Sequence, residues 1–201
     1  MKKAIAVFGN ILNDTKNSAV VYDHLESVIR PPFDYSDLLR WQLAQAVSAL
    51  DKLIHDLIRT GIIEIFQNQR ALTAGYGAFV LNLSMYNEFI NNPGLEVQIL
   101  DRHILIVNGY KTYQDPEKIA EGLSIIWTEA DKWKKIADKM CSTKILVKSE
   151  LKNIVIRRNQ IVHEGDYNAS SAARQGVVHG DIKRAVKFID DLGNSIYQCI
   201  K

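Results

Sequence analysis

The chain has 201 residues, enough to bury one core without staples, and its 47% hydrophobic and 24% charged residues exclude a disordered or collagen-like polymer. Eleven glycines and four prolines leave few breakers, which favours long helices over many short strands. Lysine and arginine number 25 against 23 aspartates and glutamates; the resulting +2 neither demands nor forbids a nucleic-acid partner.

Asp14 or Thr15 is the expected cap of a first helix, with Val20, Val21, Leu25 and Ile29 on one face and Pro31-Pro32 as its stop. Leu43, Val47, Leu50, Leu53, Ile54, Leu57, Ile58 and Ile62 recur at three- and four-residue steps. They predict a long helix over 34–67 that Gly61 kinks or splits. The 72–90 stretch is a third apolar segment whose glycines blur its start, and Asn91-Asn92-Pro93-Gly94 is a loop. Two more helices are expected over 95–107 and 115–140, joined by a turn at Asn108-Gly109. Ser142 or Thr143 caps the next, which runs to about 164 with Gly165 as its stop. A polar loop over 166–176 precedes a last helix over 179–200. Strands are few or absent. The expectation is a single all-α domain over 1–201, a helical bundle around one core.

Cys141 and Cys199 make no disulfide framework or C-x-x-C pair, and the first residues do not read as a secretory leader. The longest uncharged stretch, 71–87, contains two glycines and falls short of the roughly 20 apolar residues of a membrane helix. A cytoplasmic, reducing compartment with no membrane partner is expected.

The chemistry concentrates in the segment 151–166, LKNIVIRRNQIVHEGD. On a helical wheel of about 100° per residue, Val147, Leu151, Ile154, Val155, Ile161 and Val162 form one apolar stripe, and Arg158 falls at its centre. A guanidinium there is costly unless it is paired or lines a cleft meant for an anion. Arg157 sits on the flank, better placed to reach solvent. Asn159 and His163, four apart, share a face with Lys152 and Ile156, and the apolar Ile156 outside the core stripe suggests a second contact surface, such as a symmetric partner. Arg158 and His163 are about 140° apart on an ideal helix, so a straight helix does not aim both at one point. Either the chain unwinds near Gly165 or a second protomer completes the site.

Arg158-Asn159-Gln-Ile-Val-His163 resembles the signature of HEPN domains: an arginine, a polar residue, a few variable positions, then histidine. The flanking 154–166 segment, and the blocks 49–59 and 61–66 in the long helix, are similar to the RiboL-PSP type of HEPN protein, and the likeness spans 34–200. The resemblance implies an all-α, homodimeric, metal-independent endoribonuclease with a composite site, acting as a toxin or phage-defence effector, with an antitoxin or regulatory protein as a possible partner. It gives RNA as substrate, no cofactor and no metal. His163 would serve as general base or acid, Arg158 would hold the scissile phosphate, and Asn159 would orient phosphate or imidazole. The 2′-hydroxyl of RNA would be the nucleophile, leaving a 2′,3′-cyclic phosphate. The rival is a non-catalytic HEPN module that binds or scaffolds.

Asp51, His55 and Arg59 stand four apart, most simply as a solvated ion-pair row; the likeness raises Asp51 and His55 as cleft-lining residues, together with Arg157 and Asp166. Glu164 and Asp166 flank His163, but no H-x-x-x-H, H-E-x-x-H or paired-cysteine pattern supports a metal. In Lys132-Trp133-Lys134-Lys135, Trp133 is expected inward with Trp127 and the lysines outward. His24, His103 and His179 are isolated, and there is no P-loop.

Overall fold

A computed structural model describes residues 1–168 and 170–201. Helices dominate, and among the described residues the only extended pairing is an isolated antiparallel bridge between Tyr167 and Arg174. The first helix, α1 (Lys2–His24), begins thirteen positions earlier than the Asp14 cap predicts. Ala4, Phe8, Leu12 and Thr15, at steps of four, four and three, form its buried face. Gly9 faces open space and Asn10 is exposed, so both lie on the solvent side of the helix. Val20, Val21 and Ile29, expected on the inner face, are exposed instead; the chain loosens into a π-helical turn over Leu25–Ile29 and ends where Arg30 takes a left-handed φ of 48°.

The scaffold is α2 (Asp37–Phe66), about 45 Å long at 1.5 Å per residue, whose apolar residues from Leu39 to Ile62 are almost all fully buried. It packs against α1 and against α5 (Glu96–Asn108), α6 (Pro116–Leu123), α8 (Lys144–His163) and α9 (His179–Ile200). Gly61 neither kinks nor splits it. A Cβ there would stand 2.6 Å from Cγ2 of Ile126, so the glycine admits that side chain against the helix backbone. Truncating a fully buried side chain such as Leu53 to alanine would cost about 2–5 kcal/mol.

Two expected segments are subdivided. The 72–90 stretch holds α3 (Ala74–Gly77) and α4 (Leu83–Asn91), capped by Thr73 accepting from the Tyr76 amide (2.9 Å) and by Asn82 accepting from the Met85 amide (2.8 Å). The 115–140 stretch holds α6 and α7 (Lys132–Lys139), separated because Asp131 caps a new helix by accepting from the Lys134 amide (3.2 Å). Trp133 is buried as expected and donates Nε1–H to the Pro116 carbonyl (2.9 Å). Lys132, expected outside, is buried too: its ammonium donates to the Glu129 carbonyl (2.6 Å) and lies 5.7 Å from the Trp127 ring centroid. Thr143 caps α8 by accepting from the Leu146 amide (3.3 Å). No helix among the described residues is long and apolar enough to cross a membrane.

Candidate active site

Two adjacent arginines on α8 meet opposite surroundings. Val147, Leu151 and Ile154 are buried against the core, and Arg158 continues that row at the next step of four. The stripe stops there: Val162, one turn on, is exposed because the last turn of α8 runs past the core. The guanidinium of Arg158 is only partly buried. Nη1 donates to Oδ1 of Asn159 (3.0 Å) and, over a long 3.5 Å, to Oε1 of Gln114. Nε is buried with no partner, and among the described residues no carboxylate pairs with this arginine.

Arg157, expected to reach solvent, turns the other way and meets Asp166. Its Nη2 donates to Oδ2 of Asp166 (2.9 Å), its Nη1 to Oδ1, and Nη2 also to the Gly176 carbonyl (3.2 Å). The same carboxylate takes Nε–H of Arg40 from α2 (2.6 Å), while Nη2 of Arg40 donates to the Gln175 carbonyl (2.8 Å). Asp166 is completely buried and Arg40 nearly so. Burial would push the Asp166 carboxyl up, but the hydrogen bonds and charges of Arg157 and Arg40 outweigh it and hold the group below the usual carboxylate range. Gly165 and Asp166 both have left-handed φ, 62° and 66°, and the Asp166 amide donates back to the Gln160 carbonyl (3.0 Å), which reverses the chain sharply. Arg157 and Asp166, expected to line the cleft, are thus joined in a buried ion-pair knot that ties α2, α8 and the 166–176 loop. Nor does Asp166 stand with Glu164 as a cation cradle, since both its oxygens are taken by arginines.

On α2, Asp51 accepts from the Tyr113 amide (2.5 Å) and from Nε2 of Gln114 (3.3 Å). Gln114 therefore links the two blocks singled out in the sequence, with its nitrogen toward Asp51 and its oxygen toward Arg158. His55 brings Nε2 to 3.2 Å from the Lys111 carbonyl, which requires a proton on that nitrogen, and its ring meets Tyr113 edge-on at 4.7 Å between centroids. Asp51 and His55 line a cleft of about 310 Å³ between α2 and α5. Arg59, the third of the row, is committed elsewhere, bidentate to Asp101 at 2.5 Å on both oxygens.

His163 is the last residue of α8 and is exposed. Among the described residues no hydrogen bond joins it to Arg158; hydrogen bonds do bring together Asp51, Gln114, Arg158 and Asn159 in one copy of the chain. Gln114 carried no signal of its own. What was available is Asp115-Pro116, which fixes the start of α6 (the Asp115 side chain accepts from the Glu117 amide, 2.8 Å) and so places Gln114 one residue before the cap.

An all-α domain that presents an Arg-x4-His motif from a long C-terminal-half helix is the class defined by these features. The sequence matches the RiboL-PSP-HEPN profile over residues 10–201, and the chain belongs to that family. HEPN domains are often ribonucleases, and membership points to a nuclease or RNA-related function in general. Comparison with curated proteins and with solved structures gives no match.

Proposed function

We propose that the protein is a metal-independent endoribonuclease in which Arg158, Asn159 and His163 act on the scissile phosphodiester. One observation carries the reading: of two neighbouring arginines, Arg157 is neutralised by a buried carboxylate, whereas Arg158 is held by two neutral amide oxygens and keeps its charge uncompensated. Leaving a partly buried guanidinium without a counter-ion is costly in a purely structural role, and an incoming phosphate repays it with charge-assisted, bidentate hydrogen bonds.

RNA brings its own nucleophile. The 2′-hydroxyl attacks phosphorus, the 5′-oxygen leaves, and the products are a 2′,3′-cyclic phosphate and a 5′-hydroxyl. His163 takes the 2′-proton as base or returns a proton to the leaving oxygen as acid, the proton-transfer role that an imidazole fills most often. Arg158 stabilises the charge that develops on the non-bridging oxygens. Asn159, by accepting from Nη1, fixes the plane of the guanidinium.

Because Arg158 and His163, five residues apart on α8, point about 140° away from each other, the reading places the working site across a homodimer. Ile156 and Val162 on α8 and the nearby Tyr167 are all exposed and offer the apolar contact. Family membership supports a toxin or phage-defence role in the cytoplasm, held in check by an antitoxin or regulator.

Cleavage of a mixed RNA pool in excess EDTA, with the new ends typed and His163→Ala run in parallel, tests this. Cyclic-phosphate ends that vanish in the variant are expected. A folded, dimeric wild-type protein that cleaves nothing would transfer the assignment to a non-catalytic binding module.

A further inference from the structure

A largely uncharged surface surrounds the C-terminal half of α5. Between positions 71 and 95 the sequence carries a single acidic or basic side chain, Glu88, and that one is paired with Arg102 of α5. Val80 (78% exposed), Leu83 (79%), Ile106 and Tyr110 (91%) stand in solvent there. One exposed apolar side chain is ordinary, but several in one neighbourhood mark a contact surface.

The 79–80 segment is held on α5 by His103, whose Nε2 lies 3.4 Å from the Val80 carbonyl and whose ring meets Phe79 edge-on. Beside it a groove of about 710 Å³ opens between α3, the 110–113 stretch and α6. Its walls are fixed in advance. Thr73 donates its hydroxyl to the Ile125 carbonyl (2.6 Å), and Gly75 and Gly122 let backbone close on Ser124 and on the Tyr113 ring, where a Cβ would clash. Phe79, Val80, Val107, Tyr110 and Ile125 give the groove apolar sides. Lys111 and Lys118 also line it, both exposed and, among the described residues, in no ion pair; Glu121 is the one acid of the lining. The groove therefore carries a net positive charge.

The apolar surface runs on past the groove to Leu83 and Ile106, farther than a small molecule filling the groove would cover. A nucleic-acid strand would lay phosphates over side chains that offer no donor. A protein segment suits both features, with large apolar side chains for the groove and carboxylates for the two lysines. The same stretch of chain continues into the candidate site: the Tyr113 amide donates to Asp51, and Gln114 spans Asp51 and Arg158.

We infer that this groove seats an acidic, apolar-rich segment of a partner protein, and that the occupant, by bearing on residues 110–113, sets Gln114 against Arg158. The docking stands on the surface alone; only its effect on catalysis rests on the ribonuclease reading. Tyr110, with most of its ring in water, has the most area to bury and is the anchor of the contact.

A random peptide library displayed on phage and selected on the wild-type protein supplies the probes, and fluorescence anisotropy then measures the recovered peptides one by one. They should combine Asp or Glu with Leu, Phe or Trp, and their affinity should fall as salt rises. Tyr110→Ala, and separately Lys111→Glu with Lys118→Glu, should each cost at least about tenfold in affinity. All three side chains are exposed, so these variants keep the fold. A library that yields no binder, binders without an acidic bias, or affinity indifferent to both variants overturns the docking site. Saturating peptide should also shift the NMR signals of the Gln114 side-chain amide and change RNA cleavage at least about fivefold. Unmoved signals, or cleavage untouched by a bound peptide, overturn the coupling. Peptide that binds and moves Gln114 in a protein that cuts no RNA keeps the inference and removes the enzyme; cleavage by a protein whose groove takes no peptide does the reverse.

Discussion

The end of α8 carries two arginines, one residue apart, in opposite electrostatic settings. Arg157 shares a fully buried carboxylate with Arg40, and every acceptor around it belongs to the fold. Arg158 faces Gln114 and Asn159, which carry no charge. The lesson is that burial alone does not tell whether an arginine's charge is already compensated. The identity of the acceptors does: a carboxylate completes the charge, and an amide leaves it available.

The sharpest way to break this comparison is to remove the carboxylate. Asp166→Ala strands two guanidinium groups, one of them almost wholly buried, and should lower unfolding free energy by about 3–5 kcal/mol in urea titrations. Arg158→Ala should act the other way round, lowering RNA cleavage about 100-fold or more while moving stability by less than about 1 kcal/mol. Equal losses of stability in the two variants would erase the distinction. Asn159→Asp sharpens it by giving Arg158 the kind of partner that Arg157 already has. Cleavage should fall about tenfold with no loss in melting temperature, since a charged hydrogen bond then competes with the phosphate.

Acid pH probes the same carboxylate without a mutation, by protonating it. Its folded carboxyl titrates below the ordinary value near 3.9, so its contribution is fully present above about pH 4 and is lost as pH falls through the depressed folded value. Wild-type stability should therefore drop on that acid limb, and Asp166→Asn should flatten the drop when both are followed by chemical denaturation across pH 2–6.

The scaffold was legible wherever periodicity was long. α2 announced itself through eight apolar residues at helical steps, and Gly61 mattered less than it looked because what it removes, a Cβ, is what Ile126 needs removed. α1 was half hidden, since Gly9-Asn10 breaks the apolar run without breaking the buried face of Ala4, Phe8 and Leu12. In the candidate site, the pattern formed by Arg158, Asn159 and His163 stood out because its spacing is local. The role of Asp166 was not, because its second partner, Arg40, is 126 residues away. Gln114 was invisible for the same reason, 44 residues from Arg158 with no pattern of its own.

The knot at Asp166 also closes a ring of chain. The Gln175 amide donates to the Asp166 carbonyl (2.8 Å), Arg40 and Arg157 grip the Gln175 and Gly176 carbonyls, and Tyr167 bridges Arg174, so both ends of the 166–176 loop are anchored at one point. Within the loop Arg174 still pairs with Asp37 of α2, whereas the exposed Ser170 and Ser171 hydrogen-bond, among the described residues, only to Asn168 and Ala173 of the loop itself. Lengthening a loop costs only about 0.6 kcal/mol per doubling once its ends are fixed, so the exposed Ser170-Ser171 pair is the place to graft a purification epitope or a fluorophore without disturbing the bundle.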